Sequence, residues 1–311
     1  MIERPPFPEV IDSSMLSDFV ACPTKFRRTY MEHWKIGGGQ NVHLHAGAAF
    51  AHALEAGRKA YYNEGIGMQD AEAEALKALF QFWGEYESPA DSPKSLVGMA
   101  GALDYYFEAF PFDKDPAMPI AGHSGNRAIE FSFVLPLEVL HPTTGQPLLF
   151  SGRADWIAEF ADGIFLFDEK TTMQLGTQWA KQWELRSQFT AYTWAAHQLG
   201  IPVTGVCVRG IAIRKTGYDH AQHLTYRAAW EVERWYNEIT KRLHRMIEQW
   251  HSGDWDYNLD HACADYGGCV FLNVCRSPQP MNWLRTNFQR RKWDPVTRVE
   301  VDLPVEAGGA R

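Results

Sequence analysis

The stretch from Phe150 to Thr172, FSGRADWIAEFADGIFLFDEKTT, decides how the chain is read. Its first half alternates as a half-buried strand does, with Ala154, Trp156 and Ala158 to one side and Asp155, Ile157 and Glu159 to the other. Ala161-Asp162-Gly163 predicts a hairpin turn in which Gly163 supplies a positive φ. The return strand, Ile164-Phe165-Leu166-Phe167, is a continuous apolar run of the kind found at a sheet centre. It ends in Asp168-Glu169-Lys170. The hairpin therefore carries one carboxylate on its outgoing strand and a carboxylate with a lysine at the end of its return strand.

Carboxylates brought together in this way repel, and a divalent cation is the usual remedy. Oxygen donors suit Mg²⁺ or Mn²⁺, which keep waters and bind phosphate oxygens. Lys170 lies two residues beyond Asp168 and so shares its face of the strand. There it could orient or activate a water, or neutralise charge on a phosphate in flight. An isolated D-x-K tripeptide reads far more readily as a solvated surface ion pair. The rest of the chain has to decide.

A chain of 311 residues, 45% of them hydrophobic, can bury one large core or two modest ones. No apolar run approaches the ~18 residues of a membrane span, and Met1-Ile2-Glu3-Arg4-Pro5-Pro6 does not read as a signal peptide, so the expectation is a cytoplasmic protein without a membrane partner. A net charge of −8 excludes a general coat of nucleic-acid contacts and confines any such site to a local basic groove. Five cysteines read as thiols or metal ligands rather than disulfides.

In chain order, a first helical element is expected from Ser13 to about Trp34, with Ser14 as N-cap and Cys22-Pro23 dividing it. Gly37-Gly38-Gly39 reads as a joint. An alanine-rich helix follows from about His43 to Asn63, then two amphipathic helices, Met68 to Tyr86 and Lys94 to Phe110, in an insert spanning 66–125. Arg127 to Val139 reads as the first strand, followed by the central hairpin. A helix from Trp179 to Leu199, strands at Val203–Ile213 and His220–Arg227, and a helix from Ala228 to His251 complete the pattern. The segments are 13–64 (N-terminal helices), 66–125 (insert), 127–227 (catalytic sheet and helix), 228–280 (long helix and cysteine loop) and 281–311 (tail), within a single domain of 1–311.

A helix, a three-strand meander, a helix and a strand form a restriction-endonuclease-like α/β core, a mixed sheet flanked by helices. Over residues 13–280 the sequence resembles the PD-(D/E)XK nucleases of the RecB-like branch, which includes the RecB and AddB nuclease domains and the CRISPR-associated RecB-like iron-sulfur exonucleases. Gly47-Ala48-Ala49-Phe50-Ala51-His52-Ala53-Leu54-Glu55 resembles the branch's histidine-bearing helix. Gly152-Arg153-Ala154-Asp155 and Asp168-Glu169-Lys170 resemble its acidic motifs, and Gln188-Phe189-Thr190-Ala191-Tyr192 its Q-x-x-x-Y signature. Ala154 stands where the motif has its nominal proline, and the insert has no counterpart in the branch. The resemblance implies that His52, Asp155, Asp168 and the backbone carbonyl of Glu169 hold Mg²⁺ or Mn²⁺. Asp155, Asp168, Glu169, Lys170, Gln188 and Tyr192 would form the catalytic set, with Lys170 orienting or activating the attacking water. His43 and His45 are near neighbours of His52; Glu55 and Glu130 are outer candidates.

Arg153, Lys181, Arg186 and Arg214, with Arg209 and Lys215, are candidate phosphate contacts. Trp179, Trp183 and Trp194 could stack on unpaired bases, although core packing accounts for most of the 12 tryptophans. Cys263, Cys269 and Cys275 are evenly spaced around Gly267-Gly268, and Cys22 lies near the other chain end. In some members of the branch one N-terminal and three C-terminal cysteines hold a [4Fe–4S] cluster that clasps the two ends together. The resemblance implies this here, with a structural Zn²⁺ on the same sulfurs as the alternative. Cys207, in an apolar strand, reads as a core residue. The functional expectation is a metal-dependent DNA exonuclease acting at ends or on single strands in recombination, repair or phage DNA metabolism, with a helicase or recombinase as partner. The alternatives are a nuclease-fold DNA clamp with little catalysis, and a structure-specific endonuclease.

Overall fold

In the computed structural model, which describes residues 4–37, 41–122, 125–264 and 268–303, the central hairpin forms where the alternation predicts it. The chain opens with β1 (Val10–Asp12), α1 (Ser13–Ala21), α2 (Pro23–Phe26) and β2 (Trp34–Ile36). Next come α3 (Val42–Arg58), α4 (Met68–Trp83), α5 (Leu96–Ala109), β3 (Met118–Pro119), β4 (Ile129–Leu140), β5 (Pro147–Phe160) and β6 (Gly163–Thr172). Then follow α6 (Thr177–Lys181), α7 (Ser187–Gln198), β7 (Val203–Arg214), β8 (Gly217–Tyr226) and α8 (Ala229–Ser252). The C-terminal elements are α9 (His261–Ala264), α10 (Leu272–Arg276), α11 (Pro280–Asn287), β9 (Phe288–Asp294) and β10 (Val299–Asp302).

These elements fall into two compact units. One comprises residues 40–132 and 153–233, the other residues 1–39, 133–152 and 234–311. β4 pairs with β5, and the division falls within both strands. In the first unit β5 pairs antiparallel with β6, β6 parallel with β7, and β7 antiparallel with β8. A parallel β6–β7 pair needs a crossover, and α6 and α7 supply it. The apolar run of β6 buries Phe165 and Phe167 with Trp156, Ala158 and Cys207. On α3 to α5, alanines at close contacts allow Ala46, Ala49, Ala53, Ala75 and Ala102 to pack with Phe50, Leu79 and Tyr106. Ile211 and Ile213 of β7 join the same cluster, so the insert shares the core of its unit and is not a lobe set apart.

The turn departs from expectation in an instructive way. Ala161 takes the positive φ, at 52°, and Gly163 does not. Gly163 is needed for space instead: a Cβ there would lie 2.4 Å from Thr204 Oγ1.

In the second unit β1 runs parallel to the first half of β5, with Val10 opposite Leu149. Asp12, not Ser14, caps α1, its side chain accepting the Met15 N–H at 2.8 Å. The first helical element ends in a π-turn at Arg27–Met31, and Trp34 belongs to β2. Residues 281–303, expected as tail, form most of α11 and the β9–β10 hairpin, which pairs with β2 in a three-stranded antiparallel sheet. Trp34, Phe271, Val274, Leu284 and Phe288 form the core beneath it, with Phe271 stacked on Phe288 at 5.1 Å. Of the expected glycine joint, Gly38 and Gly39 lie outside the described residues, as does Gly267 of the cysteine loop.

Candidate active site

Antiparallel pairing puts residues that face each other across two strands on the same side of the sheet. The ladder between β5 and β6 runs from Phe160↔Gly163 to Trp156↔Phe167. One step further Asp155 meets Asp168, and here a side chain takes the place of the ladder: the Glu169 N–H donates to Asp155 Oδ2 at 2.8 Å. Asp168, only 3% exposed, pairs with the Lys170 ammonium at 2.5 Å from Oδ2.

The charges are mutually strained. Burial, then Asp168 and Glu169, hold the Asp155 carboxyl well above the usual carboxylate range. Burial also raises Asp168, against the pull of Lys170 and of Arg186 at the start of α7. For Lys170 burial favours the neutral amine, but Asp168 and Asp155 outweigh it, and its pKa rises.

Gln188 and Tyr192, one turn apart on α7, form a bonded pair, Gln188 Nε2 to Tyr192 Oη at 2.7 Å. Tyr192 lies close enough to Lys170 to add to its upward shift, so the Q-x-x-x-Y pair borders the carboxylate site.

Glu169 does not join it through its side chain. Its carboxylate is buried on the opposite face, in an ion pair with Arg58 of α3 and accepting bonds from Trp156 Nε1 at 2.9 Å and Tyr106 Oη at 3.1 Å. Burial alone would raise its pKa; Arg58 and the bonds to the carboxylate turn the shift downward. Only its backbone carbonyl is left for a ligand.

His52 is not gathered with the carboxylates either. Gly47 and Arg58, three turns apart and so on one face of α3, are the residues that meet β6, at Thr171 and Glu169. His52 lies roughly 140° around the helix from Gly47 at ~100° per residue. Its ring is exposed and rests on Phe82 at 5.4 Å. His45 is buried, stacked on Tyr86 at 4.0 Å, and its pKa is lowered by burial; His43 is exposed. Glu130 meets Glu55, with Lys59 beside Glu55 and Arg153 3.8 Å from Glu130.

Of the candidate phosphate contacts, Arg153, Lys181, Arg186, Arg214 and Lys215 are exposed, Arg214 pairing with Asp219 at 3.2 Å. Arg209 is not: it is 1% exposed, held by both oxygens of Asp115 and stacked over Phe110 at 4.2 Å. A buried guanidinium already satisfied by a carboxylate cannot reach a phosphate. Trp179, Trp183 and Trp194 are buried and cannot offer a face to a base.

The four cysteines come together in the other unit. Cys22, Cys263, Cys269 and Cys275 line one small cavity of about 20 Å³ with Lys25, Arg28 and Phe271. Cys269 feels Cys275 and Cys22 electrostatically, although burial is the main cause of its raised pKa. Arg28, which sequence reasoning passed over, donates to Cys275 Sγ at 2.9 Å. Gly268 turns at φ 98° beside Cys263, whose carbonyl accepts the Cys269 N–H at 2.9 Å. Cys207 is fully buried in the Trp156–Phe167 cluster, and burial pushes its thiol up to about 12.

Among the described residues, no three His, Cys, Asp or Glu side chains are close enough together, as they stand, to hold a metal ion. Mg²⁺ needs only one or two carboxylates, waters completing its shell. Two buried, mutually repelling carboxylates, Asp155 and Asp168, fit that requirement.

The PD-(D/E)XK nuclease superfamily matches residues 13–276, and the chain belongs to it. No protein of curated function matches the chain. Among solved structures, a "putative exonuclease" from Eubacterium rectale is 12% identical, with 83% of this chain and 88% of that chain covered and a TM-score of 0.48. The protein SSO0001 is 14% identical, with 73% and 84% covered and a TM-score of 0.27. No helix among the described residues is long and apolar enough to cross a membrane.

Proposed function

We propose that the chain is a Mg²⁺- or Mn²⁺-dependent DNA exonuclease, and the observation that carries this reading is the Asp155–Asp168–Lys170 group at the broken β5–β6 ladder. Asp155, Asp168 and the Glu169 carbonyl would hold the ion, which supplies charge neutralisation on the phosphoryl oxygens and acidifies water. Asp155, poised by repulsion from its neighbours, loses that repulsion when a cation arrives. Lys170, ion-paired with Asp168, orients or activates the attacking water. It positions the water whose oxygen attacks phosphorus in line with the departing 3′ oxygen, and it offsets the charge that develops. Gln188 and Tyr192 border the phosphate path. Arg153, Lys181, Arg186 and Arg214 are exposed and can meet the backbone of a DNA strand, Arg153 and Arg214 by exchanging Glu130 and Asp219 for phosphate. For His52 we propose a lesser part, as an outer contributor to metal uptake.

The cysteine cavity supports a second element of the same reading: Cys22, Cys263, Cys269 and Cys275 hold a [4Fe–4S] cluster. Its role is structural, since hydrolysis moves no electrons. Lys25 and Arg28 at the cavity would offset the charge of the thiolates. A single Zn²⁺ on the same sulfurs is the competing occupant.

End-labelled single- and double-stranded DNA, incubated with Mn²⁺ and with chelator, tests the enzyme. Products shortened from one end, no cleavage in chelator, and a loss of at least a thousandfold in Asp168→Ala are expected, in line with the several kcal/mol a metal supplies at such a step. Near-normal cleavage by Asp168→Ala would refute the site. DNA binding without cleavage would point to a clamp, and internal nicking of a closed circle to an endonuclease.

A further inference from the structure

Side chains along β6 alternate between two environments. Asp168 and Lys170 face the candidate site. Glu169 and Thr171 face the other way, and each is held there by a residue of the helical insert. Lys94, just before α5, is 3% exposed and donates to Thr171 Oγ1 at 3.0 Å and to the Thr171 carbonyl at 3.4 Å. Its own backbone is fixed by Ser92 and Ser88, each at 3.2 Å. Tyr106 of α5 donates to Glu169 Oε1 at 3.1 Å and accepts from Arg58 at 2.6 Å and from Arg209 at 3.3 Å. Asp115, beyond α5, pairs with Arg209 on β7, the strand next to β6.

A surface lobe does not spend a buried lysine and a buried tyrosine on one neighbouring strand. Burial costs an ammonium group dearly unless it is bonded, and among the described residues the Lys94 ammonium donates to Thr171. We propose that the insert is a positioning device for cleavage. Lys94 and Tyr106 grip the two outward-facing residues of β6 and thereby fix where Asp168 and Lys170 stand relative to Asp155. The Glu169 N–H that binds Asp155 belongs to the same gripped residue, so one hold sets both carboxylates. Lys94 and Tyr106 are positioning residues; neither touches the reacting atoms. The inference rests on the metal site proposed above, and its test separates the two.

The test is Mn²⁺ binding, followed by the loss of the free-ion electron paramagnetic resonance signal without DNA. The proteins are wild type, Lys94→Met, Thr171→Val, the double variant, Tyr106→Phe and the surface control Lys77→Met, each checked by circular dichroism. Groups that orient ligands change metal affinity by about 10–100-fold, so Lys94→Met and Tyr106→Phe should each weaken Mn²⁺ binding by roughly tenfold. Cleavage rate at saturating Mn²⁺ should fall much less than affinity does. Thr171→Val breaks one of the two bonds that Lys94→Met removes, so the double variant should be no worse than Lys94→Met alone. Should Lys94→Met fail to fold, Tyr106→Phe, which removes a single oxygen, carries the test. Folded variants that bind Mn²⁺ like wild type, or losses that simply add in the double variant, overturn the proposal. So does a wild type that binds no Mn²⁺. A wild type that binds Mn²⁺, loses affinity in the variants and yet cleaves no DNA leaves the positioning role standing and refutes the nuclease reading instead.

Discussion

Removing Asp115 should strand a charge inside the protein. Arg209 is 1% exposed and Asp115 8%, and the guanidinium donates to Asp115 at 2.5 and 2.8 Å, to Gln222 at 3.0 Å and to Tyr106 at 3.3 Å. In Asp115→Ala the two shortest bonds vanish, and the guanidinium keeps the neutral Gln222 and Tyr106 as hydrogen-bond partners. Leaving one member of a buried pair alone costs about 3–5 kcal/mol. For a unit of this size each kcal/mol moves the midpoint by about 2–4 °C, so a drop near 10 °C is expected by calorimetry or circular dichroism. Replacing both partners by apolar residues, Arg209→Met with Asp115→Leu, should recover most of the loss. A second arm tests the role of Arg209. Below the melting range, DNA affinity of the double variant against salt should show the wild-type slope, because a buried guanidinium releases no counterions. Arg186→Ala should flatten the slope by ~0.7–0.9. An Asp115→Ala protein melting within 2–3 °C of wild type, or an apolar pair that changes the salt slope, would show that Arg209 is not a sequestered structural cation.

Anaerobically purified protein should be brown, with broad absorption near ~400 nm and about four irons per chain. Serine at Cys22, Cys263, Cys269 or Cys275 should bleach it, whereas Cys207→Ser should not; a colourless protein with one zinc per chain would replace the cluster by a Cys₄ zinc site. His52→Ala should raise the Mn²⁺ needed for half-maximal cleavage while leaving the saturated rate within about 100-fold of wild type; abolition of cleavage would make His52 an indispensable ligand. Burial, then Arg290 and Lys292, lower the His33 pKa to about 4, so between there and its ordinary value near 6.5 the unfolded chain binds the extra proton. Stability from this group is present above pH 6.5 and lost as pH falls towards 4. With partial exposure discounted the loss is about 1–2 kcal/mol, and His33→Gln should remove that part of the melting curve's pH dependence.

The local rules made the centre of the molecule legible. Period-two alternation and the apolar run gave β5 and β6, and with them Asp155, Asp168 and Lys170. What stayed hidden was fixed by partners far along the chain. Asp12 and Ser14 are both good caps, and the structure uses Asp12, whose other oxygen accepts from Trp293, 281 residues on. A charged residue in an apolar strand suggested a phosphate contact at Arg209, but its counter-charge is Asp115, 94 residues upstream. Residues 281–303 are polar and read as tail, since their few anchors, Leu284 and Phe288, find a core only with Trp34 and Phe271. Helical spacing offered His52 as readily as any neighbour, and only the packing of α3 on β6 and α4 shows which way it turns. The cysteine spacing was informative, while Arg28 gave no signal because nothing in its local sequence points to sulfur.

The two sides of β6 also make the hairpin intolerant of error. A slip of one residue exchanges the faces of every side chain in a strand. In β6 it would drive Lys170 and Asp168 into the compartment of Arg58, Trp156 and Tyr106 and expel Glu169 from it. At one register Arg58 would meet the shorter Asp168 in place of Glu169, and at the other it would face Lys170, a second cation. Misregistered pairing is thus penalised by charge as well as by the apolar pattern, and the two-residue turn Ala161-Asp162, with Ala161 already at φ 52°, has no slack to absorb it. Loop tips are the usual places where a protein tolerates insertions. This one is a ruler, and changing its length by a single residue should erase the site before it disturbs anything on the surface.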